Sequence, residues 1–145
     1  MYEIRYVTPQ ELHTVWEFVC KGLRIIKQKL EAKSHWETQH VFASLCIGQS
    51  ILNLVTHDDT AIGFYITQVV NDPFLCVPMT MFIWFAYSEE GLPSTGMDLC
   101  AAKVLSDAKM MGLERIEMIS SRPGWARKLL KHDYILRDST YVRYL

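Results

Sequence analysis

Apolar positions along the chain fall into two periods. Leu12, Val15, Trp16, Val19, Leu23, Ile26 and Leu30 follow at spacings of three and four. That period predicts a helix with one buried face. Thr8-Pro9-Gln10-Glu11 marks its start, with Thr8 as cap, Pro9 at the first helical position and Glu11 closing a capping box. A short strand over residues 3–7 precedes it. Ser34-His35-Trp36-Glu37 is a second capping box, opening a helix that stops near Gly48. Residues 50–57 and 61–70 read as strands joined in a hairpin at Asp58-Asp59-Thr60, and Asn71-Asp72-Pro73 ends the second. Residues 79–87, MTMFIWFAY, are apolar at nearly every position. A strand of that kind is buried on both faces, which places Trp84 deep in the core.

The pattern then breaks at YSEEGLPSTGMDLC, residues 87–100. A helix follows over 97–111, capped by Thr95 with Asp98 three residues on, and ended by Gly112. Residues 113–120 read as a strand, 123–132 as a short helix, and 134–145 as a final strand pair bent around Asp138-Ser139. The order β-α-α-β-β-β-α-β-α-β-β describes an α/β (α+β mixed) chain. It predicts a mixed, mostly antiparallel sheet with helices on both faces, as a single domain over residues 1–145.

Composition narrows the function classes. Of 145 residues, 50% are hydrophobic and 21% charged, which suits a folded core rather than a disordered chain. A net charge of −1 argues against a general nucleic-acid binder. The longest apolar stretch, 74–87, is interrupted by Pro78 and Thr80 and is too short to span a bilayer, and no segment has the order of a signal peptide. No membrane or nucleic-acid partner is expected. Cys20, Cys46, Cys76 and Cys100 form no CxxC pair, as expected of reduced thiols in a cytoplasmic protein. The five histidines show no metal-ligand spacing, so no metal is expected.

Two segments carry a likeness beyond the element order. AKMMGLERIEMI, residues 108–119, resembles the third helix and fifth strand of the Gcn5-related N-acetyltransferase (GNAT) fold. SSRPGWARKLLKHDY, residues 120–134, resembles that family's last helix, with Asp133 and Tyr134 where a glycine and an aromatic usually close it. The resemblance covers the whole chain. The pattern R-x-G-W-x-R-x-L…Y within it is similar to GNAT-like proteins of tailed phages and prophages.

The resemblance implies a site and also exposes departures from it. In the family the loop after the fourth strand reads Gln/Arg-x-x-Gly-x-Gly/Ala and holds the pyrophosphate of acetyl-CoA. By that likeness Ser88, Gly91, Ser94, Thr95 and Gly96 are candidate cofactor-binding residues. Here the loop lacks the arginine or glutamine, its glycine spacing differs, Pro93 removes a donor, and Glu89 and Glu90 oppose an anion. The other reading of the loop is a helix start capped by Thr95. The family's general-acid tyrosine falls on Leu129, which leaves Tyr87 as the candidate acid. Glu117, between Ile116 and Met118, is the candidate base, or else faces solvent with Arg115. Arg122, Trp125, Arg127 and Lys128 form a candidate partner-binding face.

The two losses favour a non-catalytic phage structural, assembly or virion component that works through contacts with other proteins of the particle. The alternative is an acetyl-CoA-dependent N-acetyltransferase acting on a small-molecule or protein amine. Host cytoplasm or virion is the expected location.

Overall fold

The structure, a computed structural model, describes residues 1–29, 36–89, 91–119, 123–137 and 143. Among them five strands form one sheet in chain order: β1 (Tyr2–Val7), β2 (Ser50–His57), β3 (Thr60–Asn71), β4 (Pro78–Ser88) and β5 (Arg115–Met118). Neighbours run antiparallel as far as β4, and β4 with β5 is parallel. A parallel pair needs a crossover. Helix α3 (Ser94–Met110) supplies it, while α1 (Leu12–Lys29), α2 (Thr38–Cys46) and α4 (Pro123–Leu130) complete the fold.

The sheet separates two cores. One packs Leu12, Val19 and Leu23 of α1 and Val41 and Leu45 of α2 against Leu52, Leu54, Phe64, Ile66 and Phe85. The other packs Val104 and Ala108 of α3 against Val55, Tyr65, Met81 and Ile83. β4 contributes to both, which is the origin of its continuous apolar run. At Gly22 an added Cβ would lie 2.5 Å from the Phe64 ring and 2.7 Å from the Tyr87 ring, so α1 approaches β3 and β4 where it has no side chain.

Local chemistry explains the element ends. Asp58 and Asp59 have φ of 47° and 65°, the type I′ geometry that matches the twist of a two-residue hairpin. Thr8 Oγ1 accepts the Glu11 N–H, but Glu11 turns its carboxylate to Arg5 at 2.8 Å, so α1 begins at Leu12 after a turn. Glu37 caps α2, with its N–H donated to His40 Nδ1 at 3.0 Å. Ser34, His35 and Leu30 lie outside the described residues. α3 begins three residues earlier than its pattern predicts. The Gly96 and Met97 N–H groups both reach the Pro93 carbonyl, so Pro93 rather than Thr95 stands at the cap position. Asp133 ends α4 at φ 64°, in the left-handed conformation usual for glycine. The Tyr134 N–H then closes onto the Leu129 carbonyl at 3.2 Å. Residues 134–137 form no strand. The rest of the expected final pair, with the Asp138-Ser139 turn, falls outside the described residues except for Arg143.

Candidate active site

β5 pairs with β4 only from Thr80↔Arg115 to Ile83↔Met118, and β4 continues to Ser88. Beyond Ile83 its edge is no longer paired to β5. On the opposite edge the register slips at the same place: Ile66 pairs with Phe85 and Thr67 with Ile83, leaving Trp84 unmatched. This β-bulge reverses the alternation of side chains. Met81 and Ile83 face the α3 core, Trp84 and Phe85 both face the α1/α2 core, and Ala86 returns to the α3 side. Trp84 is therefore half-buried at a bulge, not deep in the core, because two consecutive large rings must share one face.

A cleft of about 90 Å³ lies over this gap. Ile83 and Ala86 of β4, with Tyr65 of β3, form its floor. Met97, Cys100, Ala101 and Val104 of α3 form one wall, and Trp125, Lys128 and Leu129 of α4 form the other. His132 and Tyr134 follow α4 around its rim. His132 Nε2 stands 3.3 Å from Asp98 Oδ1, linking the turn after α4 to the second turn of α3. Lys128 Nζ lies 5.4 Å over the Trp125 ring, a cation beside the cleft. Burial pushes the Cys100 thiol up to about 11 and raises the Tyr134 phenol. It raises the Tyr65 phenol further, and the nearby Cys100 and Asp107 add to that shift.

The β4–α3 loop opens the cleft. Ser88, Ser94 and Thr95 are exposed, and Gly91 has a φ of 58° with open space around it. Gly96 is buried, and a Cβ there would lie 2.6 Å from Leu92 Cδ1. Its glycine serves the fold of Leu92 across the helix start. The first turn of α3 presents backbone N–H groups and the positive end of the helix dipole. Glu89 does not stand against that end alone, since Lys21 Nζ pairs with its carboxylate at 2.9 Å and has its own pKa raised by the contact. Glu90 lies outside the described residues.

Tyr87 also lines the cleft, but its ring, like the Glu117 side chain, turns to the other side of the sheet. The Tyr87 ring packs against Phe18 and Phe64 at centroid distances of 6.1 and 5.6 Å. Glu117 pairs across from Phe82, with Oε1 2.9 Å from Arg115 Nε and 3.0 Å from Arg137 Nη1. The Arg115 Nε hydrogen is also directed to Thr80 Oγ1 at 2.9 Å, so its contact with Glu117 is chiefly electrostatic. Trp125 and Lys128 line the cleft, Arg127 is exposed, and Arg122 is outside the described residues. The sequence pattern singles out neither Tyr65, Cys100 nor His132. A signal existed in the small residues Cys100 and Ala101 near the start of α3, which leave room above the sheet. Among the described residues no helix is long and apolar enough to cross a membrane, and no group of three or more His, Cys, Asp or Glu side chains could hold a metal ion.

No protein-family model matches the chain, and no curated protein matches it. Solved structures do. A ribosomal-protein-alanine N-acetyltransferase from Brucella melitensis biovar Abortus 2308 is 18% identical, with a TM-score of 0.69 over 100% of this chain and 99% of that one. A predicted acetyltransferase from Clostridium acetobutylicum, solved with acetyl-CoA, is 12% identical, with a TM-score of 0.72 over 99% and 96%. An aminoglycoside acetyltransferase from an uncultured soil metagenomic sample, in complex with sisomicin, is 10% identical, with a TM-score of 0.74 over 99% and 95%. At such identities the likeness is one of fold. The chain has the GNAT fold.

Proposed function

We propose that the protein is an acyl-CoA-dependent N-acyltransferase. One observation carries this reading: β4 runs on past β5, with a bulge at Trp84, under a cleft that opens at the α3 N-terminus. The residues present fit such a donor in kind. A polar linear chain can pair with the β4 edge that β5 leaves beyond Ile83, and an anion suits the helix end beside Ser94 and Thr95, with Ser88 and Gly91 ahead of it and Lys128 across the cleft. Gly96 supports that end through Leu92.

A bound acyl-CoA supplies an activated thioester, so the protein's task is to position and polarise. Backbone N–H groups beside the Trp84 bulge serve as donors to a developing oxyanion. Tyr87 and Glu117 turn their side chains to the opposite face of the sheet and are assigned proton transfer with the acceptor amine there.

Calorimetric titration with acetyl-CoA and with CoA tests the reading. Dissociation constants in roughly the micromolar range are expected. A flat titration at high protein concentration would overturn it. A second reading, a non-catalytic assembly component of a phage particle, draws on Leu129 at the tyrosine position and on Pro93 at the α3 cap. Its contact face would include Trp125, Arg127 and Lys128. Two of these line the cleft, and the comparisons lend a phage role no support. A flat titration with recovery of the protein in a particle would favour it.

A further inference from the structure

Two side-chain atoms among the described residues are buried without a hydrogen-bond partner, Tyr65 Oη and Glu117 Oε1. Glu117 Oε1 has two guanidinium nitrogens within 3.0 Å. Tyr65 Oη has no such neighbour. Tyr65 is only 5% exposed and forms part of the cleft floor, on β3 opposite Ala86 of β4. A phenylalanine would fill the same space without desolvating a hydroxyl, as Phe64 does next door. The hydroxyl is therefore a cost to the empty fold that a ligand in the cleft would offset.

The surroundings define what that ligand group must be. Burial, Cys100 and Asp107 all oppose ionisation of the phenol, so it acts as a donor. Neither Cys100 nor Asp107 would favour an anion beside it. The adjoining walls, from Ile83, Ala86, Ala101 and Val104, are apolar. A volume of about 90 Å³ has room for about three waters, or for one planar amide unit. We infer that Tyr65 Oη donates a hydrogen bond to an amide carbonyl in the linear arm of the acyl-CoA donor, making Tyr65 a residue that binds the arm and not the nucleotide. This rests on the acyltransferase reading above.

The test is Tyr65→Phe, which keeps the ring and its packing. Its melting temperature should equal or exceed that of the parent. In calorimetry the variant should bind CoA and the isolated pantetheine arm about three- to tenfold more weakly, the loss of one neutral hydrogen bond. Adenosine 3′,5′-bisphosphate, which lacks the arm, should bind both proteins alike. Equal CoA affinities would overturn the assignment and leave the hydroxyl to a trapped water. Equal weakening for the arm-less nucleotide would overturn it too, by showing a general distortion. If the parent itself binds neither CoA nor pantetheine, the acyltransferase reading fails and this assignment falls with it.

Discussion

Trp84 and Phe85 are consecutive in β4 yet lie on the same face of the sheet, their ring centroids 4.6 Å apart. The bulge divides their energetic roles. Phe85 is 6% exposed and fully built into the core, so Phe85→Ala should cost about 3–5 kcal/mol. Trp84 is half-buried, and Trp84→Ala should cost about 2 kcal/mol. Chemical denaturation of the two variants gives the comparison. Equal losses would mean that the strand runs without a bulge.

Gly96 should show a change of sign with its neighbour. In the parent, Gly96→Ala forces Leu92 aside and should destabilise by about 1 kcal/mol, overpacking outweighing helix propensity. In a Leu92→Ala background the same change should stabilise by about 0.5–1 kcal/mol, the helix preference then acting alone. A double-mutant cycle by urea denaturation checks this. Additive effects would place the constraint elsewhere, for instance in a ligand that needs close approach.

Much of this architecture is legible from residue order. The apolar run of β4, the turn at Asp58-Asp59 and the break at Gly112 are set by neighbours in sequence, and each matches the structure. The bulge is not legible, because it depends on how β4 registers with β3, and no local pattern encodes a cross-strand slip. The start of α3 is hidden for a related reason. Thr95 is a better cap in isolation, but Pro93 is where the backbone bonds converge. The cleft joins residues from β3, β4, α3 and α4, so Tyr65 and His132 acquire meaning only once the sheet and α4 have met.

Alkaline pH should weaken the fold through Cys100. Its thiol is raised from 9.0 to about 11, so the folded state keeps a proton that the unfolded state gives up. The contribution is complete below pH 9 and is lost as pH rises through 11. With Cys100 partly exposed, the loss should be about 1 kcal/mol. Cys100→Ala should flatten the fall in stability between pH 9 and 11, read from urea midpoints. An unchanged slope would show that the thiol is solvated.

Asp133 holds a left-handed conformation at φ 64° that a side chain makes costly. Asp133→Gly should therefore raise stability by about 0.5–1 kcal/mol, relief of that strain exceeding the added freedom of the unfolded chain. A thermal melt is sufficient to decide it. A lower melting temperature would mean that the carboxylate makes a contact of its own.

The seam between β4 and β5 has a consequence for how the chain assembles. β2, β3 and β4 are joined by short hairpins and can zip from nearby contacts, whereas β5 reaches the sheet only after the whole of α3 has been laid down. Closing that longer loop is entropically dearer and belongs late in folding. With four residues in register, β5 is also the shortest strand among the described residues, so it should be the first of them to detach in native-state fluctuations. Amide exchange at residues 115–118 should then outpace exchange at 64–66. Whatever occupies the gap would act as a clasp on the last-formed edge of the sheet and slow that exchange.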